Sequence, residues 1–203
     1  MSGKRSTFRE YVEAALWALV LTLFLRAFVI QAFRIPSESM LDTLLVGDFL
    51  FVNKFEYGPK IPFTHIRLPG LRAPRRGDVI VFQFPQNPSV DFIKRCVATG
   101  GQTLEVHDKQ VSVDGVKLVE PYAVHKDPNI RPPGYDFRDN YGPFTVNPGE
   151  FFMMGDNRDN SNDSRYWGTL KLDLVKGRAM FLYWSWDGDR MWPRWNRIFQ
   201  PIR

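Results

Sequence analysis

The sequence predicts a mainly β fold, in which one N-terminal transmembrane helix precedes an antiparallel β-sheet domain with a small inserted β subdomain. Three observations lead to this prediction. A single long apolar run lies near the N-terminus, and the apolar runs beyond it are short and bounded by turn residues. Fifteen prolines and fifteen glycines among 203 residues favour many turns, and hydrophobic residues at 44% are sufficient for a core.

The long apolar run predicts a membrane anchor. Residues 11–30 form a stretch of 20 residues, about the length that a helix needs to cross a bilayer. The tail at residues 1–10 is polar and mostly basic, so we expect it to face the cytoplasm. A cleavable signal peptide and a buried core helix are alternative interpretations. The lack of a small-residue cleavage pattern after the run favours a retained anchor.

Short runs beyond the anchor predict the strands of the β domain. They are rich in β-branched and aromatic residues, and several adjoin a Gly-Asp pair that is typical of a turn. This spacing indicates an antiparallel sheet. The runs are residues 49–52, 79–82, 90–93, 151–154 and 179–186.

The chain after the anchor divides into a core and an insertion. Residues 31–99 and 149–203 contain the predicted strands and form the expected β core. Residues 100–148 contain a hairpin followed by a tract rich in Pro, Gly and Asp. We expect this region to be a small inserted subdomain or flap, separate from the site.

The charge and the rare residue types limit the partners. Net charge is +5 with the basic residues scattered, which favours a surface near membrane phospholipid over a nucleic-acid-binding stripe. The single cysteine, Cys96, excludes an intramolecular disulfide and a cysteine zinc cluster. His65, His107 and His125 lie in unrelated contexts, so we expect no metal site and no cofactor.

Three segments carry candidate chemistry. Residues 35–40, IPSESM, follow the anchor directly, but a serine pair of this kind by itself suggests only a polar turn. Lys94 follows two large hydrophobic residues, Phe92 and Ile93. The block at residues 155–168, GDNRDNSNDSRYWG, is too polar to be core, and its acidic spacing departs from the EF-hand calcium pattern.

Together these segments resemble the motif blocks of bacterial type I signal peptidases (leader peptidases), a family of serine proteases with a Ser-Lys dyad. PSESM, TLLVGD, RRGDVIVF, DFIKR and GDNRDNSNDSRYWG stand in the family's order. With the anchor they cover most of the chain outside the inserted region. One departure is Asp42, where many members carry proline, and we expect it to alter only the local turn.

The resemblance implies a catalytic dyad. Ser39 would attack the scissile carbonyl, and Lys94 would take its proton. A free lysine has a pKa near 10.4 and is protonated at neutral pH, but complete burial can lower that value by roughly 3–5 units. A neutral amine near a hydroxyl is then a competent base without a histidine.

The resemblance also implies supporting roles for polar residues. Ser161 would orient the base, and Ser37 would complete an oxyanion hole with the backbone N–H of Ser39. Asp163 and Arg165 would form a structural ion pair that braces the loop bearing Ser161.

Nine apolar residues match family positions that line shallow substrate pockets. Such pockets would accept small side chains at the first and third residues before the cut, the Ala-x-Ala pattern of exported precursors. Core packing is an equal alternative for each residue taken singly. The nine are Phe33, Ile35, Pro36, Met40, Leu44, Leu50, Val81, Phe92 and Ile93.

The function implied is that of a membrane-bound serine endopeptidase that removes N-terminal signal peptides from exported precursor proteins. It would be a single-pass protein of the bacterial cytoplasmic (inner) membrane, with its catalytic domain on the extracytoplasmic face and no nucleic-acid partner. A self-cleaving Ser-Lys protease of the repressor type would carry a DNA-binding domain where this chain has an anchor. A non-catalytic membrane-tethered β-domain that binds exported chains would leave the GDNRDNS block without a purpose.

Overall fold

A helix begins the described part of the chain, which comprises residues 7–62, 64 and 66–203 of a computed structural model. Helix α1 spans Thr7–Phe24 and continues as a π-helical turn at Leu25–Val29. These 23 residues are long and apolar enough to cross a membrane, and none of the span is buried in the protein. This exposure argues against a core helix and fits a single-pass anchor.

The anchor helix begins earlier than we predicted. Its first residue is Thr7 rather than residue 11, and residues 1–6 of the predicted tail lie outside the described residues. Arg9 and Glu13 lie one turn apart and form an ion pair of 3.1 Å, which extends the helix across the predicted boundary.

Twelve strands follow in the described residues, and they form two antiparallel sheets. All five predicted runs lie within strands, which confirms the fold class. The strands are β1 Ile30–Arg34, β2 Asp48–Asn53, β3 Val79–Phe84, β4 Asn87–Thr99, β5 Thr103–His107, β6 Gln110–Val113, β7 Val116–Lys117, β8 Tyr141–Thr145, β9 Glu150–Met154, β10 Leu170–Lys171, β11 Val175–Asp187 and β12 Trp192–Pro193.

The larger sheet has the strand order β1-β2-β11-β3-β4-β9-β10, and β12 pairs with β11. Strand β1 follows the anchor without a linker and pairs with β2 from Ile30 opposite Asn53 to Arg34 opposite Phe49. The anchor is therefore joined directly to the edge of the sheet. The segment between β1 and β2, which carries Ser39, starts after the five residues of β1 that follow the helical span.

The smaller sheet has the order β7-β6-β5-β8 and lies within residues 100–148. Asp108 and Lys109 join β5 to β6 with φ of 47° and 70°, the left-handed backbone that a two-residue hairpin turn requires. Strand β8 lies in the tract rich in Pro, Gly and Asp, where we predicted no strand.

Buried apolar side chains join the two sheets. Val106 and Val111 of the smaller sheet pack with Val97, Phe152 and Met154 of β4 and β9 in one cluster. Strand β5 alternates buried and less buried residues, as a strand with one covered face does. The inserted region therefore shares a core with the larger sheet.

Candidate active site

Ser39 lies at the start of a closed loop between β1 and β2. The backbone N–H of Ile35 donates to the carbonyl of Asp48 at 2.8 Å, and that of Gly47 donates to the carbonyl of Ile35 at 3.1 Å. Within the loop, the Leu44 N–H donates to the Met40 carbonyl at 2.8 Å. These bonds hold Ser39 on a tight turn, and its side chain is half-buried.

Lys94 reaches Ser39 from the middle of β4. Its Nζ lies 2.5 Å from the Ser39 Oγ, within hydrogen-bonding distance. The side chain is only 3% exposed, and its Nζ lies 5.5 Å from the centre of the Phe92 ring. The two residues of the predicted dyad are therefore in contact.

Burial lowers the pKa of Lys94 from 10.5 to about 8. Loss of hydration is the largest cause, because it disfavours the ammonium form. Asp163 and Asp156 act in the opposite direction, and Arg165 adds to the lowering. Near neutral pH a useful fraction of Lys94 is therefore the free amine, which a general base requires.

The loop after β9 holds the Ser39 turn in place. The backbone N–H of Asn157 donates to the Ser39 carbonyl at 3.1 Å, and the Asn157 side-chain amide donates to the Glu38 carbonyl at 3.1 Å. The Thr43 hydroxyl donates to Asp156 at 2.6 Å. The polar block at residues 155–168 thus fixes the backbone of the nucleophile.

Asp163 and Arg165 form a buried, two-pronged ion pair. The Arg165 Nε donates to one Asp163 oxygen and its Nη2 to the other, both at 2.8 Å. Asp163 also accepts from the Gly155 N–H at 3.1 Å. Burial alone would raise the pKa of Asp163, but Arg165 holds it below its ordinary value. Asp163 therefore stays charged beside Lys94.

The structure adds an ion pair that sequence reasoning missed. Arg95, the residue after the candidate base, donates to both oxygens of Asp156 at 2.8 and 2.6 Å, and both residues are buried. Because neighbouring residues of a strand face opposite sides, Arg95 secures the loop while Lys94 faces Ser39. Arg95 and Asp156 both lie in motif blocks, DFIKR and GDNRD, but the spacing of these blocks in the sequence does not indicate that the two residues pair.

The inserted region is not separate from the site, which corrects our expectation. Glu120 accepts two hydrogen bonds of 2.7 Å from the Arg158 guanidinium. The Val124 N–H donates to the Asp156 carbonyl at 2.7 Å, and its carbonyl accepts from the Arg158 N–H at 3.0 Å. The Arg138 carbonyl accepts from Arg165 at 2.5 Å. Charged and peptide groups buried in the loop after β9 need such partners, and the insertion supplies them.

The two supporting serines are placed differently. The Ser161 Oγ is buried beside Gly155 but has no hydrogen-bond partner in the described part of the chain. Ser37 is exposed at the wall of the groove that contains Ser39 and Lys94. Among the described residues, the backbone N–H of Ser39 also donates no hydrogen bond. Within the described residues, the contact expected between Ser161 and Lys94 is thus not formed, and the Ser37 hydroxyl and the Ser39 N–H have no hydrogen-bond acceptor.

A groove of about 350 Å³ runs past the dyad. Of the nine predicted pocket residues, Pro36, Phe92 and Ile93 line it. Phe33 is half-buried against the core. The others are core residues in this structure, because side chains from β2 and β3 pack under the Ser39 loop; they are Ile35, Met40, Leu44, Leu50 and Val81. Sequence reasoning missed Val90, Asp91, Asn160 and Asn162 as further lining residues.

His107, His125 and Asp42 make no hydrogen bond to either residue of the dyad. His107 is exposed beside Asp108, and His125 lies 3.6 Å from Asp159. His65 lies outside the described residues. Asp42 is exposed on the turn after Ser39.

Known proteins resemble this chain over most of its length. The model of the family "Signal peptidase, peptidase S26" matches residues 8–184. Signal peptidase I of Pseudomonas aeruginosa is 35% identical over 93% of this chain and 78% of its own. Probable signal peptidase I-1 of Synechocystis is 39% identical over 96% of this chain and 91% of its own. A crystal structure of a signal peptidase I from Enterococcus faecalis is 31% identical, covers 53% of this chain and 97% of its own, and has a TM-score of 0.44.

The family match covers the anchor, the Ser39 loop, β4 and the polar block in one stretch, and the relatives extend over most of both chains. The chain therefore belongs to the signal peptidase family, peptidase S26, and is a serine endopeptidase.

Proposed function

We propose that this protein removes N-terminal signal peptides from exported precursors, using Ser39 as nucleophile and Lys94 as general base. The observation that carries the proposal is the 2.5 Å approach of the Lys94 Nζ to the Ser39 Oγ in a groove of the β domain. The signal-peptide substrate is the one that the names of its relatives suggest. The membrane setting is supported by the exposed apolar helix at Thr7–Val29.

Lys94 activates the nucleophile in its neutral form. As the Ser39 Oγ attacks the scissile carbonyl, its proton moves to the Lys94 Nζ, which becomes an ammonium. That ammonium then protonates the departing amine of the mature protein, leaving the signal peptide as an ester on Ser39. Lys94 next takes a proton from water, and the resulting hydroxide attacks the carbonyl carbon of the ester. The bond to the Ser39 Oγ breaks, the signal peptide leaves with a free carboxyl group, and Ser39 takes the proton back from Lys94.

The Ser39 N–H and the Ser37 hydroxyl serve as the oxyanion hole. Both donors are free within the described residues, and both belong to the turn that Asn157 holds. A preorganised donor of this kind typically accounts for on the order of 10²–10³ in turnover. Ser161 orients Lys94 when its buried hydroxyl forms a hydrogen bond with the Lys94 Nζ.

The precursor binds as an extended strand in the groove. Among the described strands, β9 pairs with β4 only from Arg95 onward, so the β4 edge before Lys94 is open to a peptide backbone. Pro36, Phe92 and Ile93 narrow the groove beside Ser39. This restricts the residues near the cut to small side chains, the Ala-x-Ala pattern.

The membrane places enzyme and substrate together. The basic start of the anchor stays in the cytoplasm, and the β domain lies on the extracytoplasmic face of the bacterial inner membrane. Phospholipid is the partner of the anchor, and precursors reach the groove from the same bilayer.

The test uses the full chain in detergent and a precursor whose signal peptide ends in Ala-x-Ala. Ser39→Ala and Lys94→Ala should each abolish cleavage, while their melting temperatures show that they remain folded. His107→Ala and His125→Ala are matched controls and should retain full activity. Normal cleavage by either dyad variant would exclude this mechanism.

A further inference from the structure

A second cavity lies near the end of the anchor helix and shares no lining residue with the catalytic groove. It has a volume of about 240 Å³. Three lysines line it, together with two glutamines, Val175 and one exposed carboxylate, Asp173. We call it the basic cavity; its polar residues are Lys54, Lys60, Lys176, Gln31, Gln83 and Asp173.

The basic cavity is attached to the end of the anchor helix. The Lys54 Nζ donates to the carbonyl of Arg26, in the last turn of the helix, at 3.2 Å. The Lys54 backbone N–H donates to the carbonyl of Val29, where the membrane span ends, at 2.9 Å. A span of 23 residues at about 1.5 Å per residue covers the hydrocarbon core of roughly 30 Å. The cavity therefore lies at the level of the lipid headgroups.

The cationic groups of the basic cavity are poorly neutralised. Lys176 pairs with Asp91 at 2.7 Å, but in the described part of the chain neither Lys54 nor Lys60 has a carboxylate partner. Partial burial lowers the pKa of Lys54, and the neighbouring charges of Lys176 and Arg26 lower it further. A bound anion would relieve this repulsion.

We propose that the basic cavity binds the phosphate of an anionic lipid headgroup and so holds one lipid at the base of the anchor. The Lys54 and Lys60 ammonium groups supply the charge, and the Gln31 amide offers a further donor to phosphate oxygens. The proposal rests on the membrane setting of the proposed function. A lipid is the favoured source of phosphate because the cavity opens where headgroups lie.

The experiment counts lipids retained by the full chain in nonionic detergent, using native mass spectrometry with phosphatidylglycerol. Wild type should retain one tightly held lipid. Lys54→Gln/Lys60→Gln should weaken its binding by roughly fivefold for each lysine, on the order of 25-fold in total. Lys117→Gln/Lys171→Gln, which removes the same charge from exposed strand positions, should leave binding unchanged.

Three outcomes would overturn the inference. The first is wild-type lipid retention by the cavity variant, and the second is equal loss in the control variant. The third is displacement of the lipid by the same concentration of inorganic phosphate, which would mark a site for free phosphate. The measurement needs no cleavage, so Ser39→Ala protein should bind the lipid as wild type does. A failure of the proposed cleavage function can therefore be distinguished from a failure of lipid binding.

Discussion

The Nζ of Lys94 lies 2.5 Å from the Oγ of Ser39, although the two residues are 55 positions apart in the chain. One belongs to the loop between β1 and β2, and the other to β4, which is not adjacent to either strand in the sheet. The contact depends on the loop of residues 155–165, whose peptide groups bind the Ser39 turn and whose charges surround the lysine.

The first prediction concerns the pH dependence of cleavage. Because the pKa of Lys94 is about 8, the fraction of free amine rises about tenfold per pH unit below that value and then levels off. We expect kcat/KM to follow this curve between pH 6 and 9. Lys94→Arg, which stays charged, should be inactive throughout. A flat wild-type profile would show that another group is the base.

The second prediction is that Lys94 costs stability at neutral pH. Its pKa is lower in the folded protein than the ordinary 10.5, so the unfolded chain binds more protons between about pH 8 and 10.5. The contribution of Lys94 to the free energy of unfolding therefore increases with pH across that window. Below the window the folded protein does not have this contribution. The full pKa shift corresponds to a change in the free energy of unfolding on the order of 3 kcal/mol.

Lys94→Met tests this directly. The variant should be inactive but melt no lower than wild type at pH 7, and the difference should narrow as pH rises toward 10. Lys117→Met, at an exposed position, controls for loss of a lysine. A Lys94→Met protein that melts well below wild type at pH 7 would contradict the assigned burial effect.

The third prediction concerns the close approach at Gly155. A Cβ at this position would overlap the Ser161 Oγ and the Ser39 carbonyl oxygen. Gly155→Ala should therefore displace the Ser39 turn and lower kcat/KM by about 100-fold or more. Gly188→Ala, where a Cβ meets open space, should have no effect. Gly155→Ala/Ser161→Ala relieves only one overlap and should remain impaired; full activity there would argue against this constraint.

The fourth prediction is that the inserted region supports catalysis through Glu120. Glu120→Gln removes the charge that pairs with buried Arg158, and loss of one partner of such a pair typically costs about 3–5 kcal/mol. We expect a lower melting temperature and slower cleavage, since Arg158 belongs to the loop after β9 that holds the Ser39 turn. The matched variant Asp136→Asn affects a more exposed pair with Arg131 and should change stability by about 1 kcal/mol or less. Equal effects would mean that the insertion does not brace the loop.

The fifth prediction separates the groove from the core. Ile93→Ala widens the groove. It should raise the ratio of two cleavage rates, that for precursors with larger residues before the cut over that for precursors with alanine there. Leu50→Ala, at a fully buried position, should instead lower stability by about 2–5 kcal/mol and leave the rate ratio unchanged. If Leu50→Ala changed this rate ratio and Ile93→Ala did not, Leu50 would belong to the substrate pocket after all.

The order of motif blocks and the apolar runs determined much of this protein from sequence alone. The anchor, the five main strands, the identity of Ser39 and Lys94 as candidates, and the Asp163-Arg165 pair were all accessible. Local patterns are sufficient for the anchor and the strands because apolar periodicity reports burial. The roles of Ser39, Lys94, Asp163 and Arg165 came instead from the resemblance to the family's motif blocks.

Only the tertiary structure decided which side chains meet. Arg95 pairs with Asp156, Glu120 pairs with Arg158, and most predicted pocket residues lie in the core instead of the groove. These facts depend on which strands are neighbours and which way each side chain faces, and both are set by packing between residues far apart in the chain. The same packing removes water from Lys94 and lowers its pKa, so the chemistry that the sequence suggested depends on burial that only the assembled fold provides.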